Sequence, residues 1–156
     1  MQLTRFSDYS LRVLIYLGLR QDQWVTIQQI SEAHDISRNH LMKVVSFLAQ
    51  KGWLSSQRGP GGGVRLHTRP PEINLADVIR ATEFDLELAE CFGTQSNCRL
   101  TPHCLLRGVL IEALEAFLGV LGSHSLADLL EPRRELRRVL QLGPAPRRVA
   151  GKVSPA

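Results

Sequence analysis

Cysteine is nearly absent from this chain of 156 residues. There are three, Cys91, Cys98 and Cys104, all within CFGTQSNCRLTPHC, and none elsewhere. So few thiols, in odd number, exclude a disulfide framework. A chain of this length with 44% hydrophobic and 22% charged residues buries enough core to fold without one. A long hydrophobic run is also missing near the start: LRVLIYLGL carries Arg12 and falls far short of the ~20 residues that span a bilayer. The opening MQLTRFSDYS lacks the charged-then-apolar layout of a signal peptide. These absences predict a cytoplasmic protein, one globular domain or one with an appendage, whose thiols stay reduced and serve metal binding or redox chemistry.

Charge of one sign is scarce or abundant according to region. Residues 1–70 hold nine Lys and Arg against four Asp and Glu, residues 71–132 three against ten, and residues 133–156 seven against one. The basic start suits a polyanion, because Lys and Arg that neutralise phosphates release condensed counterions. Taken alone, such an excess more commonly means a solvated face.

The pattern beneath that charge is sharper. Ser7 is placed to cap a helix with Leu11, Leu14, Ile15 and Leu17 at helical spacing, ending near Gln21 to Gln23. Thr26 caps IQQISEAH, with Ile27, Ile30 and Ala33 on one face. After a break at Asp35 and Ile36, Ser37 caps RNHLMKVVSFLAQK, which buries Leu41, Val44, Val45 and Leu48 and stops at Gly52. Two short helices joined tightly, the second polar at its start, form a helix-turn-helix pattern. WLSSQR and VRLHT then read as strands around GPGGG, whose glycines permit a tight connection, so a β-hairpin wing follows. A phosphate-cradling loop is the rival reading of GPGGG, but no Gly-Lys-Ser/Thr follows and the next element is a strand.

A winged helix-turn-helix assigns roles to particular side chains. Arg38, Asn39, His40 and Lys43, at the start of the third helix, face base edges in the major groove, and Arg58, at the wing's base, reaches toward the minor groove. Each has a plainer alternative. Arg38 and Lys43 can touch phosphate alone, His40 can serve the helix cap, and Arg58 can be a solvated hairpin residue.

Past Pro70 and Pro71, Asn74 caps LADVIRATE, with Asp77 placed to favour the helix start. The cysteine stretch has loop composition. The run CLLRGVLIEALEAFLGVL then leaves only Gly108, Glu112, Glu115 and Gly119 as a non-apolar stripe, so it needs cover on more than one side. Little of the chain remains to supply it, and a second copy is the expected cover. A last short helix, SLADLLEP, closes the unit. The expected organisation is mainly α: residues 1–72 a winged helix-turn-helix, 73–132 a cysteine loop and long dimerisation helix, and 133–156 a basic, Pro- and Gly-rich tail, mostly disordered.

The thiol spacing, C-x6-C-x5-C, has no C-x2-C knuckle of the structural zinc kind. Loosely spaced soft ligands on a loop are compatible with an iron–sulfur cluster, and three of them leave one coordination position to another group. A sensor gains from one replaceable ligand. Three ordinary small hydrophobes are the plain alternative.

Together, MQLTRFSDYSLRVLIYLGL, ISRNHLMKVV, RGPGGGVRL, the cysteine loop and the apolar helix followed by LADLL resemble the winged-helix iron–sulfur regulators, and within them the nitric-oxide-sensing repressors, over residues 1 to about 132. The resemblance implies a homodimeric, non-enzymatic repressor of an operator in double-stranded DNA, with a cluster on Cys91, Cys98 and Cys104 and nitric oxide as signal. It also implies Asp8 as fourth ligand, supplied to the cluster of the other subunit; the plain reading of Asp8 is an acid suiting the helix dipole. A 4Fe–4S cluster is favoured with one carboxylate ligand, and 2Fe–2S stays open. Relatives that regulate cluster biogenesis carry a histidine three residues after the third cysteine, where this chain has Arg107. His103, adjacent to Cys104, is poorly placed to turn to the same metal. Two alternatives remain: a sensor of iron or cluster supply with the same fold, and a thiol or cluster oxidoreductase, which would need a resolving pair or substrate pocket that the sequence does not show.

Overall fold

A computed structural model of the protein describes residues 2–21, 23–93, 98–100 and 103–143. Helix α1 spans Arg5–Leu19, and its cap is Thr4, whose side chain accepts from the Ser7 N–H. Thr4 thus takes the role that the sequence assigned to Ser7. Ser7 lies one turn inside the helix, where it is fully buried and its hydroxyl donates to Thr82 at 2.8 Å. The helix also ends before Gln21, because Arg20 leaves helical geometry at φ −115°.

Helix α2, Ile27–His34, opens with a reciprocal box between Thr26 and Gln29 and closes on Asp35 in left-handed geometry, φ 52°. Helix α3, Arg38–Gln50, is capped by Ser37. The wing follows as β1, Leu54–Gln57, antiparallel to β2, Gly63–Leu66, with Leu54 opposite Leu66 and Gln57 opposite Gly63. Gly59 and Gly61 turn the chain between them at φ 98° and 74°, angles that side chains with a Cβ resist. Val25 exchanges backbone hydrogen bonds of 2.9 and 2.8 Å with Val64, fastening the wing to the entrance of α2.

The core collects Val13, Leu14 and Leu17 from α1, Ile30 from α2, and Leu41 and Leu48 from α3. It does not stop at the prolines. Helix α4, Leu75–Thr82, capped by Asn74, adds Val78, and the short α6, Leu126–Leu129, adds Leu126 and the following Leu130. Gly18 admits that approach: a Cβ there would stand 2.6 Å from Leu130 Cδ1. Helix α5, Leu105–Gly122, runs between α4 and α6 in the chain and buries none of its residues. Asn74 Nδ2 ties its end to the body by donating to the Gly122 carbonyl at 2.8 Å.

The tail expected to be disordered begins with a helix, α7, Arg133–Val139. Arg137 Nη1 donates to the Leu19 carbonyl at 2.7 Å, so a cation satisfies an orphan carbonyl at the end of α1. Leu142 enters the core. Composition marked only a basic tail here and gave no sign of the helix end that these arginines cover. The rest of that segment, 144–156, lies outside the described residues. No helix among the described residues is long and apolar enough to cross a membrane.

Candidate functional site

Two regions carry the candidate chemistry. The first is the start of α3. Ser37 and the buried face of Leu41, Val44 and Val45 fix the rotation of the helix, and that leaves Arg38, Asn39, His40 and Lys43 on its exposed side. His40 is partly engaged: its Nδ1 lies 3.0 Å from the Ser37 hydroxyl, and its ring stands 6.0 Å from that of Tyr9 in α1. Arg58 is exposed immediately after β1.

A narrow cavity of about 130 Å³ lies where α1 meets α3, lined by Arg5, Phe6, Tyr9, His40, Lys43 and Val44. Arg5 therefore stands with two of the residues singled out from the sequence. Nothing in the local pattern could have marked it, because His40 and Lys43 come to it from another helix. Arg65 in β2 lies over the Trp24 ring at 4.5 Å, which engages a second wing cation with the face of an aromatic.

The second region runs from α4 to α5. A single helical turn, Glu90–Phe92, carries Cys91, and Cys104 occupies the position immediately before α5. Cys91 and Cys104 are free thiols, and all three cysteines are half-buried. Arg107 reaches back from the first turn of α5 and donates through Nε to the Cys91 carbonyl at 3.1 Å. One side chain thus draws the first and third cysteine ends of the segment toward each other. Between them, 94–97 and 101–102 lie outside the described residues. Among the described residues no three His, Cys, Asp or Glu side chains are gathered as a metal site.

Asp8 is not brought to these thiols within the subunit by any contact described. Its carboxylate is held by Arg12 in the next turn of α1, with Nε to Oδ1 at 3.0 Å and Nη2 to Oδ2 at 3.0 Å, and both side chains are nearly half exposed. Nearby, His34 of α2 has its pKa lowered by burial first and by the Arg12 charge second, with Asp8 acting in the opposite direction. Its Nε2 is buried with no hydrogen-bond partner among the described residues.

Beyond Cys104 the helix offers an uncovered apolar surface. Leu105 is 89% exposed and Val120 63%, with Leu106 and Val109 open between them. Contiguous exposure of this kind marks an interaction surface.

The chain is similar to known proteins over a span that includes both regions. The chain is 49% identical over 143 residues to an HTH-type transcriptional regulator NsrR of Geobacillus kaustophilus, covering 90% of this chain and 97% of that one. It is 44% identical over 144 residues to the regulator of the same name from Bacillus subtilis, covering 91% and 99%. Among solved structures, T. potens IscR superposes with a TM-score of 0.70 at 23% identity over 86% of this chain and 90% of that one, a likeness of fold. CymR, the global cysteine regulator of B. subtilis, superposes with a TM-score of 0.67 at 25% identity over 83% and 95%. Residues 3–132 match the Rrf2 family, described as iron-dependent transcriptional regulators, and with that match spanning both the helix-turn-helix and the cysteine segment, the chain belongs to the Rrf2 family.

Proposed function

We propose that this regulator is a homodimeric repressor that holds an iron–sulfur cluster on Cys91, Cys98 and Cys104, with Asp8 of the partner subunit as fourth ligand, and leaves its operator in response to nitric oxide. One observation carries the reading. All three thiols stand on the segment joining α4, which is packed in the core, to α5, which buries none of its 18 residues. A ligand held there acts where the subunit meets whatever covers α5.

The donor set fits such a group: three soft thiols, loosely spaced, suit iron–sulfur ligation, and the single carboxylate favours 4Fe–4S over 2Fe–2S. When bound, the cluster supplies iron open to nitric oxide at its least well matched ligand, the carboxylate. The chain's residues do the rest. Arg107 keeps the Cys91 end of the segment against α5. The open face of Leu105, Leu106, Val109 and Val120 pairs with a second copy and sets two α3 helices at the spacing of operator half-sites, roughly 34–36 Å. Arg38, Asn39, His40 and Lys43 then enter the major groove, with Arg58 beside the minor groove. To reach a metal Asp8 must leave Arg12, and an exposed pair of this kind holds by only about 0–1 kcal/mol. Losing the Asp8 link frees the start of α1 from the opposite subunit. Full switching between bound and released populations takes about 5.5 kcal/mol of differential stabilisation.

Anaerobically purified protein is expected to show visible absorption with bound iron and sulfide, and to footprint an operator only before nitric oxide is added. Replacing Cys91, Cys98 or Cys104 singly with Ala abolishes the chromophore and specific binding while the dimer stays folded, because none of the segment's described residues lies in the core. A colourless zinc protein, or a single-cysteine variant that keeps cluster and binding, would refute the ligand set. The cross-subunit role of Asp8 is tested by a mixed dimer of one Asp8→Ala subunit and one subunit with all three cysteines changed to Ala. Its spectrum and nitric oxide response should differ from those of the Asp8→Ala homodimer, and identity between the two sinks that assignment.

A further inference from the structure

The end of α4 and the start of α1 are joined by oriented hydrogen bonds. The Thr82 hydroxyl donates to the Val78 carbonyl at 2.8 Å, which leaves its oxygen to accept from the Ser7 hydroxyl at 2.8 Å. Ser7 and Thr82 are both 0% exposed. One residue further, Glu83 Oε1 accepts from the Thr4 N–H at 2.8 Å and from the Thr4 hydroxyl at 3.1 Å. Thr4 in turn accepts from the Ser7 N–H at 3.2 Å. The cap of α1 is therefore completed by a side chain from outside the helix, 79 positions away in sequence.

The same turn of α1 touches the recognition helix. Phe6 meets Phe47 of α3 edge-on with ring centroids 5.2 Å apart, and Tyr9 faces His40. Phe6 also contacts Phe84, at 6.2 Å, the residue after Glu83 on the way to Cys91. The first turn of α1 thus lies between the chain that leads into the cysteine segment and the helix that carries the DNA-facing residues.

We propose that Thr4, Ser7, Thr82 and Glu83 form the joint through which a change in the cysteine segment reaches α3 within one subunit. The joint rests on the sensing role proposed above and adds to it a route that does not pass through the partner. These are positioning residues, distinct from the three thiols and from the side chains proposed to face DNA. The buried hydroxyl pair suits a switch: drawing Ser7 away from Thr82 breaks a 2.8 Å hydrogen bond and leaves the Ser7 hydroxyl the longer 3.2 Å contact with the Thr4 hydroxyl, so the joint has two discrete arrangements. Glu83 adds a surface latch that pulls on the α1 cap whenever residues 84–90 shift.

The test compares operator affinity in the cluster-loaded and nitric-oxide-treated states, and the ratio of the two is the readout. Two variants break the joint: Ser7→Ala with Thr82→Val, which removes both hydroxyls and orphans neither, and Glu83→Ala at the surface. Both should retain the cluster spectrum and dimer mass while the ratio shrinks by about 2- to 30-fold, the range over which residues outside ligand sites alter coupling. Thr82→Ser and Glu83→Gln, which still accept the same hydrogen bonds, should restore the ratio. A merely structural role would lower the melting temperature and leave the ratio alone. A wild-type ratio in both breaking variants overturns the joint and leaves the sensing role standing; should the double variant not fold, Glu83→Ala decides by itself. A wild-type protein whose affinity ignores nitric oxide overturns both.

Discussion

Helices α1 to α3 and helix α5 all carry large apolar residues, yet the first group buries most of them and α5 buries none. Leu14, Leu17, Ile30, Leu41 and Leu48 are essentially inaccessible, whereas Leu105, Leu106, Val109 and Val120 stand open. The difference lies in the arrangement of apolar positions and in chain connectivity. In α1 to α3 the apolar residues form one face per helix, and short turns fold those faces onto each other within the subunit. Apolar residues cover most of the circumference of α5, and among the described elements α4 is the one that packs closely against it. The first group is built to be stable, the second to be covered by something else.

The largest test of that contrast sets Leu41→Ala against Leu106→Ala. Truncating Leu41 should cost about 2–5 kcal/mol in denaturant unfolding, from lost burial and the cavity left behind. Truncating Leu106 should change subunit unfolding by less than about 0.5 kcal/mol and instead raise the dimer dissociation constant in analytical ultracentrifugation. Equal losses of fold stability would erase the distinction between the two regions.

Next come the exposed cations of the first region. Lys43→Ala and Arg58→Ala should each weaken operator binding. A lost base contact costs about 1–3 kcal/mol at particular base pairs, and a lost phosphate contact lowers the salt slope by about one. Titrations at several salt concentrations separate the two, and unchanged binding by both variants would move the recognition surface elsewhere.

Gly18→Ala probes the seam where α1 meets the chain after α5. The new Cβ would press on Leu130 Cδ1, so thermal unfolding should show a destabilisation of about 1–3 kcal/mol. Wild-type stability would mean that Leu130 yields freely and that the seam is loose.

The smallest effect is a pH dependence inside the first region. His34 has a folded pKa below its ordinary value, chiefly through burial and then through Arg12. The unfolded chain therefore takes up a proton near pH 6.5 that the folded chain refuses, so stability falls as pH drops through that range and is unaffected above it. Melting temperatures from about pH 7.5 to about 5.5 should fall less in His34→Gln than in wild type. Parallel curves would remove His34 as the cause.

Much of the chain as far as α4 was legible residue by residue. Thr26, Ser37 and Asn74 cap the helices their positions announced, and the glycine-rich turn divides two strands, because caps, periodicity and turns are local physics. Ser7 shows where that reading stops. A serine before an apolar run looks like a cap, and only its burial against Thr82 shows that Thr4 holds that place. The arginines of α7 show the same limit: composition marks only a basic tail, and in the structure Arg137 closes the end of α1.

By itself, then, the sequence determined the helix-turn-helix, the wing, the clustering of every thiol between α4 and α5, and an α5 too apolar to stand in water alone. Each follows from residues close together in the chain. The tertiary structure alone decided that Glu83 completes the cap of α1, that Arg107 gathers the Cys91 carbonyl and that Arg5 joins His40 and Lys43 around one cavity. Those pairings join distant or separately folded segments, and no local propensity encodes a distance across the fold.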